Sequence, residues 1–252
     1  MIKASDGLNM TAYLTRPAGK AVPTPMVLLV HGGPWSRDAW GYDAEAQWLA
    51  NRGYAVLQVN FRGSSGFGKA FLNAGNGQWS KKMQDDLTDA VHWAIDRHIA
   101  IKGKVAIFGA SYGGYAVLTG LEKTPDLYAC GVDVVGPSDL ATLVRSFPSD
   151  WQLMRQRMLL RIGAVDTDDV LNRSLSPLYH VDKIKVPLLI AQGRHDPRVT
   201  IEQSEMIVKA LKQKKIPVEY IVYDDEGHGF VRPSNRLDFY KKAEGFLNQC
   251  LT

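Results

Sequence analysis

Uninterrupted apolar runs, each about as long as a β-strand, recur along the 252-residue chain between segments with the periodicity of amphipathic helices. Strands that are apolar on both faces are typical of a parallel sheet covered by helices on both sides. The runs are Met26–Val30, Tyr54–Val59, Lys104–Phe108, Gly131–Val135, Val186–Ala191 and Val218–Tyr223. Their alternation with helices predicts an α/β protein, a three-layer sandwich with a mostly parallel sheet.

The rest of the chain fits the same architecture. The predicted helices are Asp43–Arg52, Lys82–His98, Tyr112–Lys123, Ile201–Lys214 and Asn235–Gln249. An additional strand over Leu8–Arg16 follows the turn Ser5-Asp6-Gly7, and we expect it to lie antiparallel at the sheet edge. Ser138–Lys185 contains no clear strand and should form helices beside the active-site mouth. Because no polar linker divides the chain, we expect one catalytic domain over residues 1–252.

The charge pattern gives no indication of a nucleic-acid partner. The chain has 30 Lys and Arg against 26 Asp and Glu, but the basic residues are scattered. The densest cluster, Lys212 to Lys215, lies at a predicted helix end, where cations complement the helix dipole. No stretch approaches the roughly 20 apolar residues of a membrane span, and the N-terminus lacks a signal-peptide core, so we expect a cytoplasmic protein with no membrane partner. The sequence leaves open whether the chain forms a homo-oligomer.

Cysteine and glycine patterns point to no cofactor. Cys130 and Cys250 are too few for a disulfide framework, and we expect two thiols, with a single bridge left open. No His, Cys and carboxylate cluster has the spacing of a metal site, so no metal is expected. The loop Gly63–Gly68 lacks the pairing of lysine with Ser/Thr that a nucleotide-binding loop requires.

One motif carries nucleophilic chemistry. Gly109-Ala110-Ser111-Tyr112-Gly113-Gly114 lies between an apolar run and a helical segment, which is the setting of a nucleophile elbow. The turn is sharp, so glycines on either side let the Ser111 hydroxyl project from the sheet edge. Ser111 is therefore the predicted nucleophile.

A serine nucleophile needs a histidine to take its proton and an acid to orient that histidine. Asp196 follows the strand Val186–Ala191, and His228 follows the strand Val218–Tyr223, so both belong to the carboxyl edge of the sheet. The order Ser, Asp, His is that of α/β-hydrolases. Ser111, Asp196 and His228 form the predicted catalytic triad.

Several other groups compete for these roles. The rival histidine is His195, and the rival acids are Asp166, Asp168, Asp169, Asp224 and Asp225. The first three acids have no strand before them, whereas the last two lie after the final strand and too near His228 in sequence. We expect them to be surface carboxylates and helix caps, and His195 to have a structural role.

The tetrahedral intermediate of acyl transfer requires N–H donors for its oxyanion. The residue after the nucleophile, Tyr112, should provide one backbone N–H, and Gly32 or Gly33 in His31-Gly32-Gly33-Pro34 should provide the other. Glycines allow a backbone N–H to approach the substrate oxygen closely.

Together, His31–Pro34, Asn60–Gly68, Gly109–Tyr115, Asp196–Val199 and Asp225–Phe230 resemble the catalytic domain of the prolyl oligopeptidase family, in particular its acylaminoacyl-peptidase-like branch. The resemblance covers nearly the whole chain. It implies an α/β-hydrolase fold, a Ser-His-Asp mechanism and hydrolysis of short peptides, N-acylated peptides or esters.

Members of that family normally carry an N-terminal β-propeller over the active site, whereas this sequence begins at the hydrolase domain. We therefore expect a more open site, and a carboxylesterase acting on short-chain acyl esters is the alternative to a peptidase. Val135, Phe147, Trp151 and Arg198 are candidates for the substrate pocket, although core or surface positions are equally compatible with these residue types.

Overall fold

The apolar runs identified in the sequence are strands of one mixed sheet. The computed structural model describes residues 1–20 and 23–252. Its strands are β1 (Ile2–Lys3), β2 (Asn9–Met10), β3 (Ala12–Thr15), β4 (Thr24–Val30), β5 (Ala55–Val59), β6 (Ala100–Ala110), β7 (Cys130–Val134), β8 (Leu188–Gly193) and β9 (Val218–Tyr223). Within those residues, seven strands form the main sheet in the order β3-β5-β4-β6-β7-β8-β9, with β4 to β9 parallel and β3 antiparallel to β5.

Helices cover both faces of this sheet. They are α1 (Ala44–Asn51), α2 (Lys69–Asn73), α3 (Lys82–Asp96), α4 (Tyr112–Lys123), α5 (Leu140–Arg145), α6 (Gln152–Ile162), α7 (Asp169–Leu175), α8 (Ile201–Gln213) and α9 (Pro233–Leu251). Four of them, α5 to α8, follow β7 and β8, and α5 to α7 occupy the segment for which helices were expected. The α/β-hydrolase fold predicted from the sequence is confirmed.

Alternate residues of the central strands enter two separate cores, because successive side chains of a strand point to opposite faces. Leu28 and Ile107 pack against α3, α4 and α8 on one face. Val27 and Phe108 pack against α1 and α9 on the other face. Burial on both faces explains why these strands read as continuous apolar runs.

The N-terminal strand differs from the prediction. Leu8–Arg16 is divided: β2 pairs with β1 in a small two-stranded sheet, whereas β3 forms the edge of the main sheet. The cause is burial, because Ile2 and Met10 pack into the core beside α3 when the chain turns back on itself.

The expectation of two thiols is wrong. The sulfur atoms of Cys130 and Cys250 are bonded, with 6.2 Å between the Cα atoms. Helix α9 packs across β7, and its last turn therefore lies beside the first residue of that strand. The two cysteines are 120 residues apart in sequence, so only the tertiary packing reveals this proximity.

Candidate active site

The turn between β6 and α4 holds Ser111 in a conformation that side chains rarely adopt. Its φ is 59° and its ψ is −118°. A Cβ atom on Gly109 would lie 2.5 Å from the carbonyl carbon of Gly113, and one on Gly113 would lie 2.2 Å from the carbonyl oxygen of Val30. Both positions therefore require glycine, and the neighbouring strand fixes the turn because the Ser111 N–H donates to the carbonyl oxygen of Val134 at 2.8 Å.

Asp196 lies in the loop after β8, which we call the acid loop (residues 193–199). Its side chain is fully buried. Oδ1 accepts hydrogen bonds from the backbone N–H groups of Arg198 at 2.8 Å and Val199 at 3.0 Å. Oδ2 lies 2.7 Å from Nδ1 of His228. The first oxygen is thus held by the loop itself, and the second faces the histidine.

His228 lies in the loop after β9, which we call the histidine loop (residues 224–232). Its Nε2 is 3.0 Å from Oγ of Ser111. With Nδ1–H donating to Asp196, Nε2 carries a lone pair that accepts a hydrogen bond from the Ser111 hydroxyl. The three side chains that the sequence placed at strand ends therefore form one chain of hydrogen bonds.

The rival groups occupy other positions. Asp168 caps α7 by accepting from the N–H of Leu171, and Asp169 pairs with Arg173. Asp224 and Asp225 pair with arginines at the surface. Asp166 forms an ion pair with Arg155, and His195 is exposed. None of these side chains, all within the described ranges, lines the cavity in front of Ser111.

A buried glutamate holds the histidine loop together. Glu226, which is 3% exposed, accepts hydrogen bonds from the N–H groups of Val231 at 3.0 Å and Arg232 at 2.8 Å and from Nδ2 of Asn235 at 2.9 Å. Burial opposes ionisation, but these donors outweigh it and lower the pKa of the Glu226 carboxyl below its ordinary value. The glutamate thereby fixes the path of the chain on both sides of His228.

The two glycines proposed for the oxyanion site are placed differently. Gly33 and Tyr112 both line the cavity next to Ser111. Gly32 is packed beneath, where a Cβ atom would lie 3.0 Å from the carbonyl oxygen of Ala110 and 3.4 Å from Cβ of Ser111. The cavity wall is therefore formed by Gly33 of this pair.

A support for this glycine turn was not recognised in the sequence. The His31 ring stacks on Phe61 with 4.5 Å between centroids, and its Nε2 hydrogen-bonds with Oγ of Ser64 at 2.9 Å. Burial lowers the pKa of His31 to about 4, against a small opposing effect of its bond with the Gly32 carbonyl. The ring is therefore neutral at pH 7. The loop Gly63–Gly68, which contains Ser64, supports it. The glycines of Gly63–Gly68 are the one local sign of this support in the sequence.

A cavity of about 630 Å³ opens in front of Ser111. Phe147, Trp151 and Arg198 line it, as the sequence suggested, whereas Val135 does not. Val135 is 1% exposed and belongs to the core on the α9 side of the sheet, because the chain turns there with φ of 49°. The cavity also has walls that sequence reasoning missed: Trp35, Trp79, Pro137, Leu143, Leu153, Met154 and Met158.

Three charged side chains also line this mostly apolar cavity: Asp150, Arg157 and Arg198. The guanidinium of Arg157 lies 5.1 Å from the centroid of Trp35, within the range of a cation–π contact. Arg198 follows Asp196 by two residues and lines the same cavity as Ser111 and His228.

Other site types receive no support from the residues described. Across 1–20 and 23–252, no three His, Cys, Asp or Glu side chains form a group that could hold a metal ion. In the same part of the chain, no helix combines the length and apolar character required to cross a bilayer.

Fold and site geometry together define an α/β-hydrolase with a Ser-His-Asp arrangement at the carboxyl edge of its sheet. Residues 40–252 match the model of the prolyl oligopeptidase family, described as Peptidase_S9. The chain belongs to this family, as the sequence motifs indicated.

Known relatives are longer than this chain. It is 54% identical to dipeptidyl aminopeptidase BIII of Pseudoxanthomonas mexicana, covering 99% of this chain and 38% of that protein. A solved puromycin-hydrolyzing peptidase of Mycobacterium tuberculosis superposes with a TM-score of 0.93 at 30% identity, covering 99% and 38%. The Pyrococcus horikoshii acylaminoacyl peptidase superposes with a TM-score of 0.90 at 27% identity, covering 99% of this chain and 41% of that protein. The chain thus spans about two fifths of the length of these proteins.

Proposed function

We propose that this chain is the catalytic domain, over residues 1–252, of a serine peptidase that cleaves short peptide or acyl-aminoacyl bonds through an acyl-enzyme on Ser111. The observation that carries the proposal is the continuous set of hydrogen bonds from Asp196 through His228 to Ser111, at 2.7 and 3.0 Å. Family membership supports the same reaction class.

The catalytic steps follow from these contacts. Oγ of Ser111 attacks the carbonyl carbon of the substrate while Nε2 of His228 takes the hydroxyl proton. Asp196 stabilises the imidazolium through Nδ1–H. The tetrahedral intermediate expels the amine, which receives the proton from Nε2, and the acyl group stays on Oγ. A water molecule, deprotonated by the same nitrogen, then attacks the ester carbonyl; the acid is released, and Nε2 returns the proton to Oγ of Ser111.

The oxyanion of each tetrahedral intermediate needs donors beside Ser111. We assign this role to the backbone N–H groups of Tyr112 and Gly33, because both residues line the cavity at that point. Gly32 donates no hydrogen bond in this proposal. Its role is to have no side chain, since a Cβ atom there would press on Ala110 and Ser111.

The substrate class is inferred from the cavity and from the relatives. An apolar chamber of about 630 Å³ with aromatic walls suits a bulky side chain next to the scissile bond. Arg198 is placed to donate to a substrate carbonyl or carboxylate. The names of the relatives refer to dipeptidyl, puromycin and acylaminoacyl substrates, which are amides. These names favour amide cleavage over the carboxylesterase alternative.

The test compares two substrate types in one purified protein. Aminoacyl and N-acyl-aminoacyl p-nitroanilides report amide cleavage, and short p-nitrophenyl esters report acyl transfer in general. We expect turnover of both and covalent labelling of Ser111 by a fluorophosphonate, with Ser111→Ala as the control. Ester turnover without amide cleavage would replace the proposal by the carboxylesterase. Absence of labelling in folded protein would remove both.

The location is part of the proposal as well. The sequence favours the cytoplasm, whereas the bonded Cys130 and Cys250 are the arrangement that oxidising compartments preserve. Cell fractionation decides between them: recovery of the protein in the cytosolic fraction supports the cytoplasm, and recovery in a periplasmic or extracellular fraction contradicts it.

A further inference from the structure

Gln192, the last residue but one of strand β8, has no exposed surface and lies directly beneath the acid loop. Its Nε2 is 3.1 Å from the carbonyl oxygen of Gly193, 3.0 Å from the carbonyl oxygen of Val199 and 3.4 Å from Oδ2 of Asp196. Gly193 and Val199 are the two ends of the acid loop. One amide group therefore closes the base of this loop and also faces the carboxylate oxygen that contacts His228.

A second buried residue holds the other end of this amide. Oγ of Ser204, in the first turn of α8, donates to Oε1 of Gln192 at 2.9 Å, and Ser204 is fully buried. The end of the amide that faces the acid loop meets only acceptors, two carbonyl oxygens and a carboxylate oxygen, so it must be the NH₂ group, and Oε1 accepts the proton of the Ser204 hydroxyl. The reversed amide would direct an oxygen at two carbonyls and a carboxylate.

We infer that Gln192, held by Ser204, is a positioning residue for the acid of the triad: it keeps Oδ2 of Asp196 directed at His228 and offsets part of its negative charge. Its mechanistic meaning rests on the proposed function. The contact with Oδ2 is long, so we expect a moderate effect rather than the loss of activity that follows removal of the acid itself.

Loss of the amide has two expected consequences. Without this donor, the Asp196 carboxylate stabilises a protonated His228 more strongly, so the acid limb of the kcat/KM profile moves to higher pH, by about 0.3 to 0.5 units. The acid loop also loses its closure, and small displacements of catalytic groups are costly, so kcat should fall by about 3- to 30-fold. KM should change by less than about twofold because Gln192 does not line the cavity.

The experiment uses two variants and one matched control. Gln192→Met preserves the length of the side chain without the amide, and Ser204→Ala removes the hydroxyl that donates to Oε1, so that this end of the amide is no longer held. The control is Gln58→Met. It replaces a buried amide on another strand, β5, where Gln58 donates to the side chain of Asp38. Each protein is measured for Tm, kcat, KM and the pH profile, and the titration of the His228 ring is followed by ¹H–¹⁵N NMR.

The comparison isolates the amide, because the other charged or titratable groups around the Asp196–His228 pair are unchanged in every protein. They are His195 and Arg198 in the acid loop, Glu226 in the histidine loop, Asp133 on β7, and Asp150 and Arg157 across the cavity.

Both variants should shift the acid limb and the His228 titration to higher pH, whereas Gln58→Met should leave them in place. A folded Gln192→Met with wild-type kcat and pH profile, or with a lower Tm as its only change, overturns the inference. If Gln192→Met does not fold, Ser204→Ala alone decides in the same way. If the wild type cleaves nothing, the proposed function fails, yet the NMR titration still tests whether Gln192 acts on the Asp196–His228 pair.

Discussion

The backbone N–H of His195 donates a 2.9 Å hydrogen bond to the carbonyl oxygen of Glu226. This bond joins the acid loop to the histidine loop, so the positions of Asp196 and His228 are coupled through a backbone contact in addition to the contacts within each loop. Gly193 lies at the same contact, where an added Cβ atom would be 2.2 Å from the carbonyl oxygen of Gly227.

The close approach at Gly193 gives the first prediction. Gly193→Ala should separate the two loops and lower kcat by about 100-fold, since displacements near 1 Å have that effect on catalytic groups. Steady-state kinetics check this. The control is Gly245→Ala in α9, where a Cβ atom meets nothing within 4 Å, and it should retain full activity. A Gly193→Ala enzyme as active as the control would show that the loops do not depend on this contact.

The proposed triad predicts graded losses. Ser111→Ala or His228→Ala should lower kcat by about 10⁶, and Asp196→Asn by about 10⁴, as in other triads. Active-site titration before the kinetics excludes traces of wild-type enzyme. Near-normal turnover in Asp196→Asn would mean that another acid orients His228.

The aromatic wall of the cavity predicts a change in selectivity. Phe147 and Trp151, with 6.0 Å between ring centroids, both line the cavity. Trp151→Ala should lower kcat/KM for bulky apolar side chains about 10- to 100-fold and affect alanyl substrates little, because a lost apolar contact costs about 1–3 kcal/mol. Leu237→Ala, at an exposed position on α9, is the control. Equal losses for large and small substrates would contradict this role.

Asp133 predicts how stability depends on pH. Burial raises the pKa of its carboxyl to about 7, against a weaker opposing effect of the hydrogen bond from the Gly136 N–H. The folded protein therefore holds a proton that the unfolded chain releases near pH 4, so this group favours folding at low pH and the advantage is lost as pH rises to about 7.

Asp133→Asn removes this titration. Relative to the wild type, its Tm should rise by about 5 °C between pH 5 and pH 8, as measured by thermal unfolding across that range. Asp126→Asn, at an exposed site, provides the baseline. A constant difference in Tm between Asp133→Asn and the wild type would contradict a buried, protonated carboxyl.

The bond between Cys130 and Cys250 predicts sensitivity to reductants. A cross-link between residues 120 positions apart limits the unfolded chain, which corresponds to a stabilisation of at most about 5 kcal/mol. Dithiothreitol should lower the Tm of the wild type toward that of Cys250→Ser and leave the variant unchanged. Activity at 25 °C should stay the same, because neither cysteine lines the cavity. An identical wild-type Tm with and without reductant would contradict the bond.

Sequence patterns were sufficient wherever a local rule determines the structure. The strand-turn-helix around Ser111 and the strand-end positions of Asp196 and His228 follow from apolar runs and glycines, because parallel strands end at a common edge. Val135 shows where such reasoning ends. Like Asp196 and His228, it follows the end of a strand. Its N–H, however, donates to the carbonyl oxygen of Ala191, and its side chain enters the core. Pro137 lines the cavity instead.

Long-range packing accounts for the remaining differences. Nothing local to Cys130 indicates that the last turn of α9 will lie beside it. Likewise, Trp35 and Trp79 become cavity walls only after separate segments meet. Gln192 reads as part of a strand, and its contact with Asp196 depends on the return of the acid loop over the strand end.

The cavity and the hydrogen-bonded trio come from different parts of the chain. Most of the outer wall is formed by α5, α6 and the turn between them, whereas Ser111, Asp196 and His228 stand on sheet loops. Mutations in α5 and α6 can therefore reshape the cavity during evolution without disturbing the hydrogen bonds of Ser111, His228 and Asp196. A single ancestral domain of this kind can give rise to enzymes with different substrate specificities.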